Sequence, residues 1–126
     1  MVEPYPSTFS LMVYRLAHEE PFIMDADCFD ETEIRKMNPW DSNQAIPYLL
    51  FFKHADRTSH VLRNGLKVRN RDMMSYLLYP LSGGFGHKSF LPESMITMFQ
   101  RIEHILVPLS TYLAFRCFVV LEKAEA

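Results

Sequence analysis

The chain has 126 residues, the size of one domain spanning 1–126, and its 48% hydrophobic content predicts a folded core rather than disorder. Its net charge of -2 leaves no basic surface of the kind that nucleic-acid binders use, so nucleic acid is excluded as a partner. The sequence predicts a cytoplasmic protein that contacts no membrane. It has only two cysteines, it shows no basic-then-apolar leader, and its apolar runs are far shorter than the roughly 20 residues of a membrane helix.

The first predicted element is a helix over residues 8–18. Ser7 or Thr8 is placed to cap its start, because a hydroxyl accepts hydrogen bonds from the free amides of the first turn. Residues 1–6 contain two prolines and are too short for a complete strand, although they suit the tail of one. The helix is predicted to bury an apolar stripe at helical spacing made of Phe9, Met12, Val13 and Leu16.

A long irregular segment covers residues 19–42. It holds scattered apolar side chains, so we predict a loop that is partly docked on the domain. Asp41 or Ser42 is predicted to cap the next helix, which runs through residues 43–52. A further helix over 55–64 ends before a glycine, a typical C-terminal stop.

The second half of the chain reads as strands around one long helix. Residues 66–68 begin a strand, and 73–81 fit strand or helix, with tyrosine and leucine slightly favouring the strand. A helix opens at Pro92 and is predicted to kink or break at Pro108, because proline lacks the amide and clashes with the preceding turn. Residues 115–121 form a nearly continuous apolar run, which predicts a strand buried on both faces.

A glycine-rich segment follows residue 81, with the sequence SGGFGHKS. A Walker loop needs glycine immediately before lysine, where His87 stands instead. A dinucleotide fingerprint starting at Gly84 fails because its last glycine is replaced by Ser89. The pattern favours a turn that joins strand to helix. The functional alternative is a pocket in which His87, Lys88 and backbone amides bind an anionic or polar group.

The stretch WDSNQ at 40–44 places an aromatic ring, a carboxylate and two amides at a helix start after a long loop. A plain helix cap explains Asp41 or Ser42 but leaves Asn43 and Gln44 without a task. Side-chain amides can read a polar ligand, so structural and functional roles are equally favoured here.

No metal site is predicted. A helical metal site needs histidine or cysteine pairs three to five residues apart, and no histidine has such a partner. The histidines are His18, His54, His60, His87 and His104.

Four stretches of the chain resemble one enzyme family: VEPYPS at 2–7, DSNQAIPYLLF at 41–51, YPLSGGF at 79–85 and AFRCFVVLEK at 114–123. Together they resemble the C-terminal half of bacterial class I S-adenosylmethionine-dependent methyltransferases. The resemblance implies an α/β fold. Its sheet would be a partial Rossmann-like methyltransferase sheet made of the C-terminal strands, with helices and a long N-terminal loop.

The resemblance also assigns the strands. Residues 1–3 would be the last turn of the family's fifth strand, 66–68 would belong to the sixth, and 114–123 would form the antiparallel seventh. The glycine loop and the acidic residue that hold the cofactor would both lie upstream of this chain. The resemblance therefore implies the substrate-side part of such an enzyme, inactive alone, with S-adenosylmethionine bound only if the missing N-terminal half is supplied.

The resemblance supplies no fixed catalytic residue in this half. Methyl transfer depends mainly on positioning, so the candidate residues are those that would face the methyl acceptor. The candidate substrate-binding residues are Tyr5, Trp40, Asn43, Gln44, Phe85 and Lys88. His87 is the candidate catalytic base.

The expected partner is a small-molecule acceptor or the missing half of the fold. The main alternative is a small α/β binding or interaction module, in which a homodimer buries an exposed sheet edge. A third reading is a complete small enzyme with His87 as its base.

Overall fold

A computed structural model of the chain describes residues 1–17, 21–30, 32, 43–62, 65–83 and 88–123. These residues form a mixed α/β arrangement built on a three-stranded antiparallel sheet. The elements in chain order are β1 Val2–Pro4, α1 Thr8–Ala17, α2 Ile46–Tyr48, a π-helix Leu49–Lys53, α3 Ala55–Leu62, β2 Leu66–Met74, α4 Leu78–Leu81, α5 Glu93–Leu106, a 3₁₀-helix Val107–Leu109, α6 Ser110–Leu113 and β3 Arg116–Lys123.

Strand β3 lies in the middle of the sheet and is antiparallel to both neighbours. Arg116, its first residue, stands opposite Pro4 of β1 and Met74 of β2. Strands β1 and β2 therefore run in the same direction. Their carboxyl ends lie at the same end of the sheet, which is where β3 begins.

The core lies against one face of β3. Phe115, Cys117 and Val119 are fully buried, whereas Phe118 is 37% exposed and Val2 opposite it is 48% exposed. The prediction that this strand is buried on both faces is wrong, because the described helices cover only one of them. The buried residues of the core cluster are Tyr5, Phe51, Tyr76, Ala114, Cys117 and Val119.

Helix α1 confirms the predicted helix, but the predicted buried stripe is wrong. Met12 is 54% exposed and Leu16 85% exposed, while Ser10 and Tyr14 are buried. Their polar groups are satisfied: the Ser10 hydroxyl donates to the Tyr5 carbonyl at 2.6 Å and the Tyr14 hydroxyl to the Phe115 carbonyl at 3.0 Å. These bonds let the polar face pack inward.

Ser7 caps α1 as predicted, since its hydroxyl oxygen accepts a hydrogen bond from the Ser10 amide at 3.0 Å. The cap predicted for the next helix is wrong. Helix α2 begins only at Ile46, and its flanking residue Ala45 makes no side-chain cap. The candidates Asp41 and Ser42 lie outside the described residues.

Residues 21–30 form an irregular segment docked on the helices, which confirms the predicted docked loop for this part of it. The Phe22 ring lies 4.8 Å from the Tyr14 ring, centroid to centroid. At the other end, the Arg57 guanidinium lies 4.3 Å above the Phe29 ring and pairs with Asp27 at 3.3 Å. Both apolar and ionic contacts therefore hold this segment against the helices.

Residues 73–81, predicted as strand or helix with the strand favoured, contain both. Strand β2 ends at Met74, Ser75 has a φ of 61°, and helix α4 begins at Leu78. The Glu103 carboxylate holds this turn from α5. Its Oε1 accepts hydrogen bonds from the backbone amides of residues 76, 77 and 78, at 2.9, 2.9 and 2.8 Å respectively.

The long helix α5 ends at Leu106, where a 3₁₀ turn carries Pro108, so the predicted break is confirmed. No residue of α5 is fully buried, and Ile105 is 76% exposed. The helix is attached mainly through Leu106, which packs on the core, and through the Glu103 clamp. None of the helices in the described ranges has both the length and the apolar content that crossing a membrane requires.

Candidate functional site

A cleft of about 330 Å³ opens at the end of the sheet where β1 and β2 finish and β3 begins. The cleft thus lies next to the carboxyl ends of β1 and β2, although neither strand pairs with the other. The cleft is lined by Glu3, Pro4, Tyr14, Asn43, Gln44, Pro47, Tyr79 and Arg116.

Arg116 and Tyr79 form a fixed pair in the cleft. The Arg116 guanidinium donates to the Tyr79 hydroxyl at 2.7 Å, and its Cζ lies 4.6 Å from the centre of the Tyr79 ring. The hydrogen bond and the cation–π contact restrict the same side chain from two directions. The half-buried guanidinium is consequently pre-oriented at the first residue of β3.

Tyr14 forms the inner wall. Burial raises the pKa of its hydroxyl well above the usual value, and Tyr79 adds to the rise while Arg116 opposes it. The hydroxyl therefore stays protonated and donates to the Phe115 carbonyl at 3.0 Å. A phenol held in its neutral form is a hydrogen-bond donor and a poor base.

Asn43 is buried in the wall, and its side chain has a structural task that the sequence left unassigned. Its Oδ1 accepts from the amides of Ile23 at 2.9 Å and Ala45 at 3.0 Å, while its Nδ2 donates to the Ile23 carbonyl at 2.9 Å. Asn43 therefore ties the docked segment 21–30 to the start of α2. Next to it, half-buried Gln44 lines the cleft, and its backbone amide donates to the Pro21 carbonyl at 3.1 Å.

The other predicted site residues are placed elsewhere. Tyr5 is buried in the core, where its ring meets the rings of Tyr48 and Phe52 edge-on, so it does not line the cleft. Lys88 is exposed and is also absent from the lining. Trp40, Phe85 and His87 lie outside the described residues. Of the predicted residues, the cleft brings together Asn43 and Gln44.

Four lining residues with polar side chains were not predicted from the sequence: Glu3, Tyr14, Tyr79 and Arg116. One of them carried a signal in the sequence. Arg116 is the only charged residue in the apolar run 114–121. A lone charge in a buried strand needs either a partner or a ligand, which marks it for attention. Tyr14 and Tyr79 could be recognised only from the fold, because their neighbours come from distant parts of the chain.

The cysteines and the acidic groups do not form a metal centre in the described part of the chain, where no group of three or more histidine, cysteine or acidic side chains is close enough to hold an ion. Cys28 and Cys117 are free thiols. Burial, and then Glu3, raise the pKa of the Cys117 thiol to about 11, which keeps it protonated and unreactive at neutral pH.

No family model, curated protein or solved structure matches the chain. The chemistry of the cleft therefore follows from its own side chains. They offer one oriented guanidinium, one carboxylate, two tyrosine hydroxyls and two side-chain amides around a space of small-molecule size. This set can bind and orient a polar ligand, and the described part of it contains no nucleophile next to a base.

Proposed function

We propose that the chain is the substrate-side part of an S-adenosylmethionine-dependent methyltransferase-like protein, and that it is inactive without a cofactor-binding half. The sheet would then be the C-terminal part of a Rossmann-like sheet. The observation that carries the proposal is the cleft at the shared carboxyl end of β1 and β2, where such sheets bind ligands. The cytoplasm is the proposed compartment.

Strand directions support the same proposal. The resemblance places a fifth, a sixth and an antiparallel seventh strand in this half. The described sheet has three strands in that chain order, and the last is antiparallel to the other two. Strand β1 also has an outer edge to which no described strand is bonded, which is where further strands of a larger sheet would pair.

The described residues do not fit the cofactor. In the family, a glycine loop directly after a strand holds S-adenosylmethionine. Here β1 is followed by Tyr5, Pro6 and Ser7, and β2 is followed by Ser75 and Tyr76. None of these residues allows the close backbone approach that glycine provides. The chain's own contribution would be to bind the methyl acceptor and exclude water from it.

Acceptor positioning would fall to the residues that line the cleft. In-line methyl transfer needs the acceptor held at one distance and angle, so oriented groups matter more than a base. Gln44, Tyr79 and Arg116 are the proposed acceptor contacts, and Asn43 supports them by fixing the cleft wall. His87 stays the predicted base for an acceptor that must lose a proton, with Trp40, Phe85 and Lys88 as further predicted contacts.

Calorimetric titration of S-adenosylmethionine tests this proposal on two proteins. The 126-residue chain is expected to show no binding at micromolar concentrations. The product of the reading frame extended upstream of Met1 is expected to bind, and Gln44→Ala in that longer product should leave its cofactor affinity unchanged. Binding by the short chain would contradict the missing cofactor half. Failure of the longer product to bind would contradict the methyltransferase assignment.

A second candidate function is an interaction module that forms a homodimer. It is favoured by the outer edge of β1, because Met1 and Tyr5 direct their backbone hydrogen bonds towards β3, so the backbone groups of Val2, which alternates with them, face the outer edge. Sedimentation velocity tests it, with Val2→Pro as the variant that should dissociate a dimer, because proline removes an amide from this edge. A monomer at millimolar concentration would remove this candidate.

A further inference from the structure

Arg116 is half-buried, and no acidic residue in the described ranges forms an ion pair with it. Its guanidinium donates to Tyr79, a neutral hydroxyl, and no ion pair among the described residues involves it. Removing a charged group from water is unfavourable unless an opposite charge or strong hydrogen bonds replace the lost solvation. The phenol hydroxyl satisfies one of five N–H donors, which leaves donors for a ligand.

Glu3, the carboxylate in the same lining, does not fill this role. Glu3 stands opposite Cys117, whereas Arg116 stands opposite Pro4. Successive side chains leave a strand on opposite faces, so the two charged groups depart from different faces of the sheet. The register of β1 against β3 therefore separates the two side chains, and no ion pair joins Glu3 to Arg116 although both line the cleft.

Tyr79 and Glu103 set the position of the guanidinium. Tyr79 belongs to α4, and the turn that leads into α4 is fixed by the three amides bound to the Glu103 carboxylate. The position of the Tyr79 ring then determines the plane in which the guanidinium lies, through a 2.7 Å hydrogen bond and a cation–π contact. A guanidinium with a fixed plane suits two parallel hydrogen bonds to one carboxylate or phosphate group.

We propose that the cleft binds a small molecule through a carboxylate or phosphate group, which pairs with Arg116 while Tyr79 acts as a positioning residue. This inference deepens the proposed function, since the anionic molecule would be the methyl acceptor. It requires only this chain, because every group that it uses is described within it. It can therefore be tested without the cofactor.

Nuclear magnetic resonance titration with benzoate and with its neutral isostere benzamide tests the proposal. Benzoate is expected to shift the backbone amide signals of Gln44, Tyr79 and Cys117, with a dissociation constant at least about tenfold lower than that of benzamide. Inorganic phosphate, titrated separately, distinguishes a phosphate group from a carboxylate as the preferred anion. Equal binding of benzoate and benzamide, or no shift with either benzoate or phosphate, would overturn the proposal.

Four variants distinguish a loss of anion recognition from a general loss of structure. Arg116→Gln should remove the preference for benzoate, and Arg116→Lys should restore part of it because the charge is kept. Tyr79→Phe keeps the ring but loses the hydrogen bond, so it should weaken benzoate binding less than Arg116→Gln does. Arg57→Gln is the matched control, because Arg57 is exposed and pairs with Asp27 far from the lining. Retained preference in Arg116→Gln contradicts the assignment.

Failure of the anion-binding proposal can be distinguished from failure of the proposed function. If the extended protein binds S-adenosylmethionine but the cleft ignores benzoate and phosphate, the methyltransferase assignment stands and the anionic acceptor is rejected. If the cleft prefers anions but no cofactor binds, the site is an anion-binding site of another kind of protein.

Discussion

The two sides of β3 differ in both sequence and burial. Phe115, Cys117 and Val119 alternate with Arg116 and Phe118, and only the first set is fully buried. The buried side packs against the π-helix and the helices around it, whereas Phe118 faces outwards beside Val2. The inner side is thus closed by the core, while the outer side combines Phe118 with the charged residues Arg116 and Glu122.

This difference leaves several large apolar side chains exposed among the polar residues of the outer side. In antiparallel sheets with one face in water, polar residues normally occupy that face and alternate along each strand with the apolar residues of the buried face. Here the outward positions of the sheet include Val2, Met74 and Phe118, each more than a third exposed. Under the proposed function, the rest of the enzyme's fold would cover this side.

The largest expected effect is the difference in stability between two variants, one of Phe115 on the buried side of β3 and one of Phe118 on its outer side. Phe115→Ala should lower the free energy of unfolding by about 3–5 kcal/mol, because it removes a fully buried ring packed against Phe9 and Tyr14. Phe118→Ala should cost less than about 1 kcal/mol. Urea unfolding measures both. Equal costs would mean that the outer side is covered in solution.

The second effect tests whether α5 is held by a polar clamp rather than by packing. Glu103→Ala should destabilise the protein by about 2–3 kcal/mol, since three backbone amides lose a charged acceptor. Glu103→Gln should cost less, because the amide oxygen can still accept. Met98→Ala on the same helix is the control and should cost below about 1 kcal/mol, as Met98 is exposed. A larger loss for Met98→Ala would favour packing.

The third effect is a dependence of protein stability on pH, caused by a thiol on the buried side of β3. Cys117 has its pKa raised from 9.0 to about 11 by burial and by Glu3, so the folded state keeps the proton longer than the unfolded state does. The stabilisation is therefore fully present below pH 9. As the pH rises towards 11, the free energy of unfolding falls by about 2 kcal/mol. Urea unfolding across this range checks it. Cys117→Ala should show a smaller loss, and an identical loss would assign the effect to the tyrosines.

The smallest effect belongs to the outer side. Lys67 and Glu122 face each other across β2 and β3, at 3.4 Å and with both side chains about half exposed. Lys67→Ala should change the free energy of unfolding by less than about 0.5 kcal/mol, because solvent screens such pairs. A loss above 1 kcal/mol in the same unfolding assay would indicate that this side is shielded from water.

Elements with a strong local pattern could be predicted from the sequence. The periodic apolar residues and the Ser7 cap predict α1, and the apolar run predicts β3. Residues 66–68 are predicted to begin a strand, and β2 extends from there to Met74. Its middle, residues 69–72, is polar, and it is a strand because β3 supplies the hydrogen bonds. The left-handed Ser75 that ends it carries no sequence signal, since serine rarely adopts that conformation.

The candidate site was predictable only where its residues are neighbours in sequence. Asn43 and Gln44 stand out together, and the structure places both at the cleft. The pairing of Arg116 with Tyr79 spans 37 residues, and Tyr14 reaches Phe115 across 101. Such contacts depend on how the sheet closes. The inward face of α1 differs from the predicted one, because the buried hydroxyls of Ser10 and Tyr14 find carbonyl acceptors at Tyr5 and at Phe115.

The pairing of β1 with β3 also has a consequence for how the protein is made. The Met1 carbonyl accepts from the Val119 amide at 2.9 Å, and the two residues are 118 positions apart in the chain. At ordinary rates of synthesis, β1 therefore waits on the order of ten seconds on the ribosome before its partner emerges. Slow closure over such a distance gives chaperones a defined window in which the first strand is unpaired.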